Sequence, residues 1–184
     1  QRAFRRPVED KELEPFVRLA LPAIDAGAPF EEVVQVPLRA ILCSPQFLMF
    51  GGRPGELDAY SLASRLSYFL WKSLPDSELV ESAKAGTLTT DEELSRQVDR
   101  MLLDERSRRF TRDFVGQWLR VDQVNATLPD EKLYPEFDEP LGYSIPLETQ
   151  HFFAGLIAEN APLTTIIESD YAWVNRRLAQ HYGL

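Results

Sequence analysis

The sequence is poor in the residues from which metal and redox sites are built. Its 184 residues include one cysteine, Cys43, and two histidines, His151 and His181. A single cysteine excludes an intramolecular disulfide and any zinc or iron–sulfur site made from several cysteines, and the sequence has no C-x-x-C-H run for covalent haem attachment. We expect Cys43 to be a small buried hydrophobic residue, because no histidine is placed by the sequence to activate its thiol.

Basic residues and long apolar runs are also scarce. Lys and Arg number 20 against 29 Asp and Glu, which gives a formal net charge of -9, whereas proteins that bind the nucleic-acid backbone neutralise phosphates with Lys and Arg. No apolar run approaches the roughly 20 residues that a membrane-spanning helix needs. The hydrophobic content of 44% is enough for a substantial core at this length. We therefore expect a globular chain with no nucleic-acid partner and no membrane span, whose acidic surface suits a basic docking partner.

The pattern of apolar residues predicts helices throughout. No segment pair with strand-like alternation, no repeat and no low-complexity tract is found, so the predicted class is all-α. Residues 56–71 read ELDAYSLASRLSYFLW and are apolar on two faces of a helical wheel, which predicts a buried central helix at about 58–72, capped by Asp58 and stopped by Pro75. We expect an irregular multi-helix bundle around it. One buried cluster should contain Leu66, Phe69, Leu70, Phe114 and Trp118.

The residues before this helix predict a small segment of their own. Amphipathic helices are predicted at 8–21, ended by Pro22, and at 30–42, kinked at Pro37, and a compact apolar turn follows at 44–50. The run GGRPG at 51–55 reads as a loop. We expect a helical companion segment at 1–50 and a main α-helical domain at 51–184, with a single compact unit as the alternative.

Further helix signals follow the central helix. Asp76 or Ser77 is predicted to cap a helix that Gly86 ends, and a capping box of Thr90 and Glu93 is predicted to open the next. A long amphipathic helix with a basic outer side is predicted at 104–121. An ordered loop at 122–138, a helix at about 147–157, a short helix at 163–168 and a last helix after residue 175 complete the chain.

Four motifs of the main domain resemble a known family. They are SRLSYFLW at 64–71, GQWL at 116–119, YPEFD at 134–138 and NRRLAQHYG at 175–183. Together they resemble a family of planctomycete domains of unknown function that occur in large, exported proteins carrying a planctomycete-type cytochrome c domain. RAFRRP at 2–7 and AILCSPQFL at 40–48 resemble the small companion domain that precedes it.

The resemblance has structural rather than chemical implications. It implies an α-helical module between a haem c domain and further domains of an exported protein, and it supplies no catalytic or cofactor-binding residues. The chain is expected to be a piece of such a protein. Pro140, Gly142 and Pro146 depart from the family pattern, because they interrupt a segment that relatives fill with good helix formers.

Glu148 and His151 form the best metal-ligand pattern in the sequence. Their E-x-x-H spacing puts a carboxylate and an imidazole on one helix face, as in carboxylate-bridged di-iron bundles. Such sites need a second E-x-x-H and more glutamates, whereas His181 stands in a different context, at a helix end where an imidazolium meets free carbonyls. We therefore predict no metal, haem or other cofactor in this chain and treat Glu148, His151 and His181 as minor candidates.

Three other residues are predicted to have structural roles. Arg65 lies at the edge of a helix with little exposed surface, so we expect its guanidinium to pair with a carboxylate or a helix C-terminus. Trp71 and Trp118 continue apolar stripes and are expected in the core. An acid/base pair as in glycosidases can be imagined among Glu136, Asp138 and Glu139, yet acidic clusters in an acidic protein are usually solvated.

Two functional hypotheses follow from these residues and the resemblance. The first is a non-catalytic helical module that positions or docks the neighbouring domains of a haem-containing extracytoplasmic protein, for example through a basic face of the cytochrome c domain. The second is a part of an enzyme that acts on polysaccharide or in redox chemistry with that domain. An enzyme needs convergent titratable groups in a deep cleft, whereas a docking module needs an exposed apolar or charged patch.

Overall fold

The computed structural model of the protein describes residues 2–50, 55 and 57–184. Over these residues it has α-helices and short 3-10 helices and no β-strand, so the predicted all-α, multi-helix class is confirmed. The α-helices are α1 (Asp10–Arg18), α2 (Leu21–Asp25), α3 (Phe30–Leu42), α4 (Pro45–Leu48), α5 (Ala59–Trp71), α6 (Ser77–Lys84), α7 (Asp91–Leu103), α8 (Arg108–Leu119), α9 (Glu139–Ala158) and α10 (Arg176–His181). The 3-10 helices span Glu105–Ser107, Val121–Gln123 and Leu163–Ile166. No helix in the described ranges combines the length and the apolar character needed to cross a membrane.

Two compact units make up the chain. The first unit comprises Gln1–Phe69 and Ser73–Gln97, and the second comprises Leu70–Lys72 and Val98–Leu184. The division falls inside α5 and α7, each of which gives residues to both units. The predicted GGRPG junction lies outside the described residues except for Gly55, so the division into 1–50 and 51–184 stays a prediction.

The predicted first helix is in fact two helices. α1 ends at Arg18, and Pro22 lies in the first turn of α2, where the missing N–H of a proline removes no helix hydrogen bond. The prediction that Pro22 ends a helix is therefore wrong. In contrast, α3 runs from Phe30 to Leu42 through Pro37, at the predicted bounds. α1, α2 and α4 all pack against α3.

α5, the predicted central helix, has the predicted cap but is buried on one face only. The Asp58 Oδ1 atom accepts hydrogen bonds from the backbone N–H groups of Tyr60 and Ser61, each at 3.0 Å. Phe69 is 59% exposed, so the expectation of two covered faces is wrong. The buried side chains form a single stripe of Ala63, Ser64, Ser67, Leu70 and Trp71.

The burial of two serines accounts for this difference between the helical wheel and the structure. Counted as polar on the wheel, Ser64 and Ser67 are nevertheless buried. The Ser67 hydroxyl donates to the Ser64 carbonyl oxygen at 3.0 Å, so its burial leaves no unpaired donor. The buried stripe therefore passes through the small serines and leaves Phe69 outside.

The helices after α5 begin and end largely as the local signals predict. The Asp76 carboxylate accepts from the Leu79 N–H at 3.0 Å at the start of α6, and Gly86, with φ of 72°, follows its end. At the start of α7 the Thr90 hydroxyl oxygen accepts from the Glu93 N–H at 3.4 Å. The Glu93 carboxylate accepts instead from Ser82 on α6, at 2.7 Å, and so joins α6 to α7.

In the second unit, α8 and α10 pack against α9. Val115, Phe153 and Leu156 form a buried cluster there, and partly buried hydrophobic residues surround it. On α8 the short side chains of Thr111 and Val115 are buried. This small-residue stripe allows close helix packing, and it explains why α8 turns the neighbouring aromatic stripe outward.

The aromatic stripe of α8 contradicts the predicted single cluster. Leu70 is buried, but Phe114 is 48% exposed and Trp118 is 55% exposed, so the expected burial of these two residues is wrong. The rings of Phe110, Phe114 and Trp118 instead follow one another along α8, with centroids 5.3 and 5.8 Å apart. Trp118 then meets the ring of Phe153 edge-on at 5.8 Å.

α9 is one helix of 20 residues rather than a broken one. Asp138 caps it, and Pro140 lies in its first turn, where proline is well tolerated. Pro146 lies inside the helix, although the sequence predicts a helix starting or bending there. The carbonyl oxygen that Pro146 leaves without a helical donor, that of Gly142, accepts a hydrogen bond from Asn125 in the loop before α9.

Candidate docking surface of the second unit

The three minor metal candidates do not converge in the structure. The Glu148 carboxylate accepts a hydrogen bond from the Tyr182 hydroxyl at 2.6 Å, and this bond raises the pKa of Tyr182 to about 12. The His151 ring stacks near Trp173, with centroids 6.2 Å apart, and the His181 ring lies beside Tyr182. Among the described residues no group of three or more His, Cys, Asp or Glu side chains is placed to hold a metal ion.

Trp71 is fully buried, and its indole ring interacts with a backbone carbonyl group and with a charged side chain. Its indole N–H donates to the carbonyl oxygen of Met101 at 2.9 Å. The Arg106 guanidinium lies 3.4 Å from the ring centroid, where a cation is attracted by the π-face. Asp104 accepts two hydrogen bonds from Arg106, at 2.8 and 2.7 Å, and the pKa of Asp104 falls to about 2 because of this pairing.

Two expectations about other residues are wrong. Arg65 is exposed, and within the described part of the chain its guanidinium makes no hydrogen bond or ion pair. It needs no partner, because it lies on the solvent side of α5 together with Phe69. Cys43 is also exposed, as a free thiol just after the end of α3.

The net charge of the protein is concentrated in one stretch of the second unit. Between residues 122 and 170 the only basic side chain is Lys132. The acidic side chains there are Asp122, Asp130, Glu131, Glu136, Asp138, Glu139, Glu148, Glu159, Glu168 and Asp170. Outside this stretch acidic and basic residues are equal in number, so the formal net charge of -9 resides within it. The total charge of the sequence does not reveal this localisation, which requires counting the charges segment by segment.

A groove of about 450 Å³ lies in this acidic stretch. It is lined by Asn125, Leu128, Pro129, Glu131, Phe137, Asp138, Glu139 and Tyr143, and we call it the acidic groove. Leu128 is 86% exposed, and Leu133 and Tyr134 of the same loop are also largely exposed. The groove thus combines exposed apolar side chains with carboxylates, which is the composition of a protein-binding patch with a polar rim.

Asp138 fixes one wall of the acidic groove. The Arg177 Nε atom donates to both carboxylate oxygens of Asp138 at 2.9 Å, and the Leu141 N–H donates to one of them at 2.8 Å. Arg177 also donates to the Glu136 carbonyl oxygen. The hydrogen bond from Arg177, with that from Leu141, lowers the pKa of Asp138. A general acid needs a raised pKa, so this carboxylate is suited to holding the loop rather than to donating a proton.

Asn125 fixes the other wall and explains how α9 accommodates Pro146. A helical residue at position 146 would donate its N–H to the carbonyl oxygen of Gly142, four residues earlier, but proline has no N–H. The Asn125 side chain donates to that carbonyl oxygen at 3.1 Å. A Cβ atom on Gly142 would lie 2.5 Å from the Asn125 Oδ1 atom and 3.2 Å from the Phe137 ring. Asn125 therefore occupies the space that a side chain at Gly142 would need and supplies the hydrogen bond that Pro146 cannot.

These contacts connect two of the sequence motifs. Arg177 of NRRLAQHYG and Asp138 of YPEFD are 39 residues apart in sequence and form an ion pair at 2.9 Å. The Asn175 side chain caps α10 and also donates to the Ser144 hydroxyl on α9, at 2.7 Å. The motifs thus hold the acidic loop on α9 and α10. Only the cap positions Asp138 and Asn175 carried a signal in the sequence, because both precede helices.

The comparisons with known proteins identify families of unknown function. The model described as PSD4, protein of unknown function (DUF1592), matches residues 57–184, and PSD5, protein of unknown function (DUF1595), matches residues 1–51. No curated protein and no solved structure matches the chain. The first match covers the acidic groove and all the contacts that hold it. The chain therefore belongs to the DUF1592 family, with a DUF1595 segment before it.

Proposed function

We propose that this chain is a non-catalytic docking module whose acidic groove receives a basic face of a neighbouring domain of the same polypeptide. From the resemblance of the motifs, the neighbour is a cytochrome c-type domain in a large exported planctomycete protein. The observation that carries the proposal is the localisation of the whole net charge of -9 in residues 122–170. A soluble surface needs no such concentration of one sign, whereas a partner of opposite charge is attracted by it.

The acidic groove supplies the second property of a docking surface, which is apolar area in a fixed position. Leu128 of the groove lining and Leu133 and Tyr134 of the same loop are mostly exposed. Two contacts fix the loop that presents them: the ion pair of Asp138 with Arg177 and the hydrogen bond from the Asn125 side chain to the Gly142 carbonyl oxygen. A preformed surface loses less conformational entropy on binding than a mobile loop would. Carboxylates at the rim would orient a basic partner, and the apolar residues would bind it once it is placed.

The competing hypothesis of an enzymatic part draws less support from the same residues. Of the carboxylates considered as an acid/base pair, Asp138 is an N-cap and an ion-pair partner with a lowered pKa. Glu136 and Glu139 are exposed. Their arrangement favours electrostatic contact with a partner over proton transfer to a substrate.

The proposal is tested by titrating the chain against the separately produced haem domain. At about 0.01 M salt the Debye length is about 30 Å, and at about 1 M it is about 3 Å. We expect association at low salt that weakens strongly at high salt. Replacing both Glu131 and Glu139, the two exposed glutamates of the groove lining, by lysine should weaken binding at low salt at least about tenfold, because it places like charges opposite the partner.

The matched control is Glu31→Lys combined with Glu32→Lys, the same charge change on the exposed side of α3. A general effect of net charge would weaken binding equally in both double variants, and that result would contradict the assignment to the acidic groove. Association that is absent, or that does not depend on salt, would contradict the docking role itself. Thermal unfolding of each variant shows that the fold is retained.

A further inference from the structure

A second cleft, with the opposite charge, lies in the first unit. It has a volume of about 490 Å³, within the range of small-molecule sites. Its walls come from the N-terminal turn, from α5, from the segment that leads into α6 and from α6 itself. It is lined by Arg2, Arg5, Arg6, Pro7, Tyr60, Leu74, Pro75, Val80, Glu81 and Lys84, and we call it the cationic cleft.

Four of the lining side chains are cations and one is a carboxylate. Arg6 is neutralised by Glu12, to which it donates two hydrogen bonds at 2.6 and 3.1 Å. Arg5 donates to the carbonyl oxygens of Gln46, Phe47 and Met49 at 2.9 to 3.0 Å, which fixes its position at the end of α4. These carbonyls orient the guanidinium but do not cancel its charge.

The other two cations of the cleft, Arg2 and Lys84, have hydrogen-bond donors that are not used within the described part of the protein. Arg2 is exposed, and over the described ranges its guanidinium has no hydrogen-bond or ion-pair partner. The Lys84 ammonium is 3.8 Å from the Glu81 carboxylate, and both side chains are largely exposed, so the pair is weak. An anion in the cleft would therefore meet unused donors from Arg2 and Lys84 together with the fixed charge of Arg5.

The rest of the lining is apolar. Leu74, Pro75 and Val80 line the cleft beside Tyr60, and Leu74 and Val80 are each 36% exposed. An inorganic anion would leave this wall in contact with water. A ligand with an apolar body would cover the wall and gain the free energy of burying it.

We propose that the cationic cleft binds a small amphipathic anion, with a carboxylate or phosphate head held by Arg2 and Lys84 and an apolar body against Leu74 and Val80. The guanidinium fork and the ammonium both bind carboxylate and phosphate oxygens. This site is independent of the acidic groove, which lies in the other unit and has the opposite charge. The chain thus binds a small ligand in addition to docking a partner.

Calorimetric titration with simple probes tests the site. Hexanoate and hexyl phosphate represent the two heads, acetate lacks the apolar body, and hexylammonium reverses the charge. We expect at least one of the two anionic hexyl probes, hexanoate and hexyl phosphate, to bind with a stoichiometry of one. Its affinity should be at least about tenfold higher than that of acetate or hexylammonium. Whichever of the two binds more tightly identifies the head group that the site prefers.

The double variant Arg2→Gln, Lys84→Gln should lose at least about tenfold in affinity for the bound probe, because charged hydrogen bonds are removed. Arg39→Gln is the control, since Arg39 is an exposed cation of α3 outside the cleft. Unchanged affinity in the double variant, an equal loss in Arg39→Gln, or failure of both anionic hexyl probes to bind would overturn the proposal. The substituted residues are exposed, and thermal unfolding verifies that the variants remain folded.

Discussion

The contact of Asn125 with α9 makes a quantitative prediction about stability. Proline at 146 leaves the Gly142 carbonyl oxygen without its helical donor, and the Asn125 side chain supplies one at 3.1 Å. Gly142 itself is buried, so water replaces the lost donor poorly. We expect Asn125→Ala to lower the free energy of unfolding by about 1 kcal/mol, the net value of one such hydrogen bond.

A double-mutant cycle with Pro146→Ala isolates this contact. Alanine at 146 restores a backbone N–H that can donate to the Gly142 oxygen within α9, so the Asn125 donor is no longer essential. In the Pro146→Ala background the cost of Asn125→Ala should therefore fall by at least half. The difference between the two costs is the coupling free energy.

Urea or guanidinium unfolding of the four proteins measures the cycle. Gln117→Ala, made in both backgrounds, is the control, because Gln117 is an exposed residue of α8 away from this contact. We expect it to have a small and equal effect in the two backgrounds. An Asn125→Ala cost that is the same with proline and with alanine at 146 would refute the reasoning, since the two residues would then act independently.

Three further predictions concern other parts of the chain. Trp71→Ala should lower the free energy of unfolding by about 3–5 kcal/mol in chemical unfolding, as for other buried aromatic residues. Trp118→Ala removes a side chain that is 55% exposed and should cost about 1 kcal/mol. Similar costs for the two variants would show that burial does not distinguish these residues. The free energy of unfolding should fall as the pH falls from about 5 to 2, because the folded-state pKa of Glu93 is lowered to about 2 by Arg96, Gln97 and Ser82. Glu93→Gln should flatten this pH dependence. An unchanged slope in the variant would contradict the prediction. Elemental analysis and absorption spectra of the purified chain should show neither stoichiometric metal nor haem. Stoichiometric metal that is lost when Glu148, His151 or His181 is replaced would contradict this prediction.

Much of the fold could be predicted from the sequence, because helix boundaries depend on neighbouring residues. Asp58, Asp76 and Asn175 accept hydrogen bonds from N–H groups two or three residues later, and such short-range contacts can be read from spacing alone. The absence of alternating segments likewise predicted the all-α class. Pro146 shows the limit of local signals, because its effect on α9 depends on Asn125.

The tertiary structure decided which apolar stripe of each helix is buried and which distant groups meet. Trp71 and Trp118 both continue apolar stripes, yet one is fully buried and the other is 55% exposed, because close helix packing selects the faces with small side chains, such as Thr111 on α8. Arg177 reaches Asp138 across 39 residues of sequence. Spacing along the chain carries no information about such a pair, since the approach depends on how α9 and α10 pack.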